Sequence, residues 1–170
     1  MNEASDPEKP AKSGPSAWDS ALRLLGVRAR SRHEMAERLT RKGFDADTVA
    51  EVMSRLDRHQ LLDDEDFAAE WVRSRSTFSG KGSVALRHEL RAKGIDEVVI
   101  AGAIGDIDSA DEREAAAALV DRKLTVATRE RMESDPAERD KVRRRLIGML
   151  IRRGYPQSVA FDVVAQALTG

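Results

Sequence analysis

The sequence predicts an all-α protein: three tandem three-helix repeats forming an elongated or curved module. Three observations carry this expectation. An apolar register recurs three times around a glycine, helix-start residues stand at matching places in the copies, and no segment shows a convincing strand alternation.

The register is anchored on Gly43, Gly94 and Gly154. Eight residues before the glycine stand Met35, Leu86 and Leu146, and four before it Leu39, Leu90 and Leu150. One residue after it come Phe44, Ile95 and Tyr155, and ten after it Met53, Ile104 and Val164. The residue just before it is basic each time: Lys42, Lys93 and Arg153. Positions eight and four before the glycine share one helical face, and the glycine supplies the left-handed residue that ends the helix. A cation at that end also suits the helix dipole.

Each helix pair is preceded by another helical stretch. In the first repeat it is residues 17–27, with Trp18, Ala21, Leu22 and Leu25 near one face. In the second it is 64–75, with Phe67, Ala68, Trp71 and Val72, and in the third 111–124, with Ala115, Ala118, Leu119 and Arg122. Phe67 and Trp71 are four apart and read as packing residues, with an exposed binding pair as the alternative.

Starts are marked by Ser31 with Glu34, Asp63 with Asp66, and Asp135 with Glu138 and Pro136 at N1. The second helix of each pair begins near Asp45, near Asp96, and at Pro156 as N1. These marks give roughly nine helices. The resulting boundaries are a disordered tail over 1–16 and repeats over 17–60, 61–109 and 110–170. The glycine spacing is 51 and then 60 residues, and the extra nine fall within 124–140, either lengthening the third repeat's first helix or looping before Pro136. Three such units stacked in a row would make a rod or arc of roughly 60 Å.

Composition narrows the function classes. The chain is 41% hydrophobic and 35% charged, with four Phe, two Trp and one Tyr, which suits narrow aliphatic stripes. It has no cysteine, so disulfides, thiolate nucleophiles and Cys-containing zinc sites are excluded. Residues 1–16 carry three acids, two lysines and no apolar core, and no run is long enough to span a bilayer; a cytoplasmic, monomeric protein is expected. The net charge of −1 gives no global field toward nucleic acid.

Catalytic signatures are missing. His33, His59 and His88 are widely separated, and no metalloprotease, redox or nucleophile-elbow motif occurs. The segment 78–83, FSGKGS, lacks the spacing and strand context of a phosphate loop. The acids of 61–67, LLDDEDF, read first as a helix cap, with a divalent-ion site or a contact to a basic protein patch as alternatives. No cofactor, metal or enzymatic activity is expected.

Basic residues form two candidate contact surfaces. In the second repeat, Arg73, Arg75, Lys81, Arg87, Arg91 and Lys93 form either a contact face or an ordinary solvated one. In the third, the run 141–153 holds six basic and no acidic residues, among them Arg143, Arg144, Arg145, Arg152 and Arg153, so contact with a nucleic-acid backbone stays open. The glycine-linked pairs also invite a helix-turn-helix reading, but the helices after the glycines are acidic or apolar rather than base-reading.

The stretch LLDDEDFAAEWVRSRSTFSGKGSVALRHELRAKGI resembles the characteristic segment of the RecX family, through Leu62, Asp64, Phe67, Ala68, Arg75, Leu86, Glu89, Leu90, Lys93, Gly94 and Ile95. The preceding SRHEMAERLTRKGF is similar to that family's first-repeat pattern, and the resemblance covers about residues 17–168, most loosely in the third repeat. It implies tandem three-helix repeats and a non-enzymatic regulator that binds the RecA nucleoprotein filament on single-stranded DNA. Inhibition or modulation of ATP hydrolysis, strand exchange and coprotease activity would follow, with weak direct DNA binding in some members. On this reading the partner-binding candidates are Asp64, Arg73, Arg75, Arg87, Arg91, Lys93, Arg143, Arg144, Arg152 and Arg153. Phe67, Trp71, Leu86, Leu90, Gly43, Gly94 and Gly154 would hold the scaffold. The alternative is a DNA-binding helical module with no recombinase partner.

Overall fold

The computed structural model describes residues 14–169, so most of the tail expected over 1–16 lies outside the described residues. Ten α-helices follow in order: α1 (Ala17–Val27), α2 (Arg32–Arg41), α3 (Ala46–Arg58), α4 (Asp64–Ser79) and α5 (Ser83–Ala92). Then come α6 (Glu97–Gly105), α7 (Ser109–Asp121), α8 (Val126–Ser134), α9 (Pro136–Arg152) and α10 (Gln157–Thr169). Among the described residues there is no strand, and no helix is long and apolar enough to cross a membrane.

The tenth helix is the difference from the expected nine. The extra residues of the third repeat neither lengthen α7 nor form a loop; they make α8. Thr125 caps it by accepting a bond from the Thr128 N–H, and buried Thr128 with half-buried Met132 ties it to the core beneath α9. Its apolar content is too thin for periodicity to reveal it.

The capping residues act at the backbone level. Ser31 Oγ accepts the Glu34 N–H at 3.1 Å, Asp45 Oδ1 the Thr48 N–H at 2.9 Å, and Asp135 Oδ1 the Ala137 N–H at 2.8 Å. Asp63 takes two N–H groups, from Glu65 and Asp66, which assigns the first acids of α4 to an N-terminal turn. Pro156 stands one place earlier than expected: its carbonyl accepts the Ala160 N–H at 2.9 Å, so it precedes α10 instead of opening it.

Each glycine turn closes in the same way. Gly43, Gly94 and Gly154 have φ of +93°, +70° and +84°. The next residue's N–H reaches back to a carbonyl five residues earlier: Phe44 to Leu39 at 3.4 Å, Ile95 to Leu90 at 3.2 Å and Tyr155 to Leu150 at 3.1 Å. The glycine N–H bonds the carbonyl three residues earlier, at 2.9 Å in all three. This double closure uses carbonyls that a helix end leaves without partners and folds the bulky residue onto the last turn.

The described chain forms two compact units that meet between Leu62 and Asp63. The first holds α1–α3 around Ala21, Met35, Leu39, Val52, Leu56 and Leu62. The second holds two clusters. One gathers Phe67, Ala68, Val72, Leu86, Leu90, Ile95 and Ile100 from α4–α6; the other joins α7–α10 through Leu119, Val120, Val142, Leu146, Leu150, Tyr155 and Val164.

Two stripes differ from expectation. In α1 the buried residues are Ala17, Ser20 and Ala21, while Leu22 is exposed. In α7 they are Ala116, Leu119 and Val120, not Ala115 and Ala118, because an alanine run offers no contrast by which to choose a face. In the helix after the glycine the expected position ten residues on does pack, Val164 being buried and Met53 and Ile104 partly so, and a position six residues on, Val49, Ile100 and Ala160, is buried in all three.

Candidate partner-binding site

In the second repeat, α4 and α5 are joined through one carboxylate. Glu89 accepts two bonds from Arg75, Nε to Oε2 at 2.9 Å and Nη2 to Oε1 at 3.0 Å, and a third from the Trp71 indole N–H at 2.9 Å. Lys81 approaches it at 3.7 Å, and the Lys93 ammonium lies 4.8 Å from the centre of the Trp71 ring. Trp71 stacks on Phe67 with ring centres 5.7 Å apart. The paired Arg75 guanidinium holds the Glu89 carboxyl below its ordinary value, against burial, which pushes the other way.

The other candidate cations of this repeat are mostly engaged as well. Arg87 and Arg91 both meet Glu97, the latter at 2.9 Å, and so fasten α5 to α6. Arg73 pairs with Glu70 on the exposed side of α4, and Asp64 is the half-buried first residue of that helix. Arg73 and Lys81 face a cleft of about 390 Å³ whose opposite wall carries Asp106, Asp108, Asp111 and Glu112. Thus Arg73, Arg75, Arg87 and Arg91 serve three different carboxylates; they do not form one basic field.

The junction between the second and third repeats lies inside the second unit and rests on backbone contacts. The Gly82 N–H donates to the Arg153 carbonyl at 3.0 Å, the Val84 N–H to the Gly154 carbonyl at 2.9 Å, and the Ser83 N–H to Glu112 Oε1 at 2.7 Å. The first N–H groups of α5, which a helix cannot satisfy internally, are therefore taken up by the third repeat. Arg153 adds a bond from Nη1 to the Ser79 carbonyl at 3.0 Å. A Cβ on Gly82 would stand 2.5 Å from the Gly154 oxygen, and one on Gly154 would stand 2.2 Å from Ala85 Cβ. FSGKGS is thus a repeat-to-repeat seam, and its N–H groups are occupied by protein.

Past this seam gather cations that have no acidic partner among the described residues. Two adjoining hollows of about 570 and 340 Å³ share Lys123 and Met149 between α4, α7 and α9. Arg152 and Arg153 reach them, as do Arg122, Lys123 and Arg145, which the sequence did not group because α7 and α9 are brought together only by packing. Phe78 also lines the rim and is 86% exposed. It lies on the part of α4 that runs beyond the expected end at residue 75, up to left-handed Gly80. Arg143 and Arg144 are exposed elsewhere on α9, Arg143 pairing with Asp140 at 3.4 Å.

Comparison with known proteins agrees with this architecture. Residues 17–56 match the family description "RecX, first three-helix domain" and residues 63–104 "RecX, second three-helix domain". A Regulatory protein RecX of Mycobacterium sp. (strain KMS) is 48% identical over 165 residues, covering 97% of this chain and 88% of the relative. That of Mycolicibacterium smegmatis is 51% identical over 152 residues, covering 89% and 79%. The crystal structure of RecX from Lactobacillus salivarius superposes with a TM-score of 0.74 at 22% identity, covering 90% of this chain and 94% of that one, a likeness of fold. With close to half its residues shared across almost its whole length, this chain belongs to the RecX family of regulatory proteins.

Proposed function

We propose that this protein regulates the RecA recombinase by occupancy, as a cytoplasmic monomer that binds the nucleoprotein filament and restrains ATP hydrolysis, strand exchange and coprotease activity. Family membership over 97% of the chain is the observation that carries this reading. A helical repeat scaffold with exposed charged faces suits it, since occupancy needs complementary surface and no reacting group. Contacts from more than one repeat would add through linkage, so that a filament presenting many equivalent subunits binds better than a free one.

Within this reading the contact cations divide by availability. Arg144 and Arg152 are exposed and form no ion pair among the described residues, so a partner meets them without first breaking a bond. Arg73, Arg87 and Arg91 would have to exchange Glu70 or Glu97 for a partner carboxylate.

The test is single-stranded-DNA-dependent ATP hydrolysis by RecA while this protein is titrated in. Hydrolysis should fall as the protein is added, and Arg144→Glu with Arg152→Glu should blunt the effect without altering the melting temperature. Unchanged hydrolysis at a saturating amount of protein would contradict the proposal. Inhibition that disappears when excess free DNA is added would favour a DNA-binding module instead.

A further inference from the structure

We propose that the groove between the C-terminal turn of α4, the end of α7 and the C-terminal half of α9 docks an acidic peptide segment that carries a bulky apolar residue. The charge lining it is of one sign. Arg122, Lys123, Arg145, Arg152 and Arg153 border the two hollows, and no carboxylate does. Several exposed arginines elsewhere in the same unit stand against acids, namely Arg73 on Glu70, Arg91 on Glu97 and Arg113 on Asp162, while Arg144 on the far part of α9 has no ion pair among the described residues. In the groove, Arg122 and Arg153 bond only to the carbonyls of Ala118 and Ser79, which orient the side chains and leave their charge uncancelled. Lys123, Arg145 and Arg152 form no ion pair among the described residues.

The floor is apolar. Leu119 and Met149 line it, and Phe78 stands at its mouth almost fully in water. An exposed phenylalanine beside a hollow is an unfilled contact, and a methionine can reshape to fit what enters. A ligand satisfying both features brings carboxylates for the rim and one aliphatic or aromatic side chain for the floor.

A peptide fits better than a nucleic acid. A single-stranded nucleic acid is held by successive stacking platforms along a continuous basic track, and this groove offers a single exposed aromatic, Phe78, beside the aliphatic side chains of Leu119 and Met149. The proposal rests on the groove's lining and holds whether or not the recombinase reading does.

The experiment measures fluorescence anisotropy of a labelled peptide of Asp and Glu carrying one Leu and one Phe, titrated with the full chain. Two further probes are the same peptide with Leu and Phe replaced by Ala, and a thymidine oligonucleotide of equal charge. The first peptide should bind best. Lys123→Glu with Arg152→Glu should weaken it about tenfold or more, and Phe78→Ser severalfold, all at exposed positions where folding is retained. The proposal is overturned by absence of peptide binding, by equal binding of the alanine peptide, or by tighter binding of the oligonucleotide. A chain that inhibits RecA but ignores the peptide would sink this inference alone, and one that binds the peptide without affecting RecA would sink only the recombinase reading.

Discussion

At Glu89 a single carboxylate receives the Arg75 fork and the Trp71 indole, so removing its charge leaves two half-buried donors short of an acceptor. Glu89→Gln should cost about 1–2 kcal/mol in denaturant unfolding; Arg75 keeps some water, which holds the cost at the lower end of the range for charged bonds. The same pair sets a pH signature. The folded-state value of Glu89 is depressed, chiefly by Arg75, so its stabilisation is complete above the unfolded glutamate value of about 4.3 and is lost as pH falls through the folded value. The stability gap between the parent and Glu89→Gln should therefore close on acidification below pH ~4, and a gap that stays constant there would contradict the assignment. The glycines give a matched pair. Gly43 and Gly154 are both left-handed, yet a Cβ at Gly43 meets nothing within 4 Å, whereas at Gly154 it would lie 2.4 Å from the Ala85 nitrogen. Gly43→Ala should cost about 1 kcal/mol from backbone strain, and Gly154→Ala about 2 kcal/mol more from overlap. Equal losses of melting temperature would show that the close approach does not matter.

Among the elements, α5 depends most on its neighbours. Its N-cap is Gly82, which has no side chain to offer, and the Glu112 carboxylate of α7 takes the Ser83 N–H in its place. Glu112→Ala should raise the amide exchange rate at Ser83 and Val84 and cost about 1 kcal/mol, with exchange in the first unit unchanged. Unaltered exchange at these two amides would contradict the capping role. This dependence also marks where sequence stops being informative. Helices α2, α5 and α9 were legible because Met35, Leu39, Leu86, Leu90, Leu146 and Leu150 contrast sharply with their polar neighbours, and the caps at Ser31, Asp63 and Asp135 are local chemistry. The face of α7 was not legible, since alanines at 115–118 look alike from every side, and α8 has too few apolar residues to show a period. The bond from Glu112 joins residues 29 apart and has no sequence signature at all.

At the scale of the whole molecule, fold and family were readable from the recurring register and the middle motif, while the functional surface was only half readable. The sequence identified basic residues but not their acids: Arg75, Arg87 and Arg91 fall within one stretch of the chain, yet packing sets them against Glu89 and Glu97. Conversely, Arg122 and Lys123 lie at the end of one helix and come near Arg145, Arg152 and Arg153 only when α7 and α9 both pack on α10. The proposed recognition of RecA as a filament is read most directly by binding. The purified protein would be titrated, at one salt concentration, against RecA assembled on single-stranded DNA with a non-hydrolysable nucleotide, against free RecA, and against the naked DNA. Binding to the filament should be tightest, with naked DNA much weaker and falling further as salt rises. Equal affinity for filament and naked DNA, or binding to neither, would contradict the account.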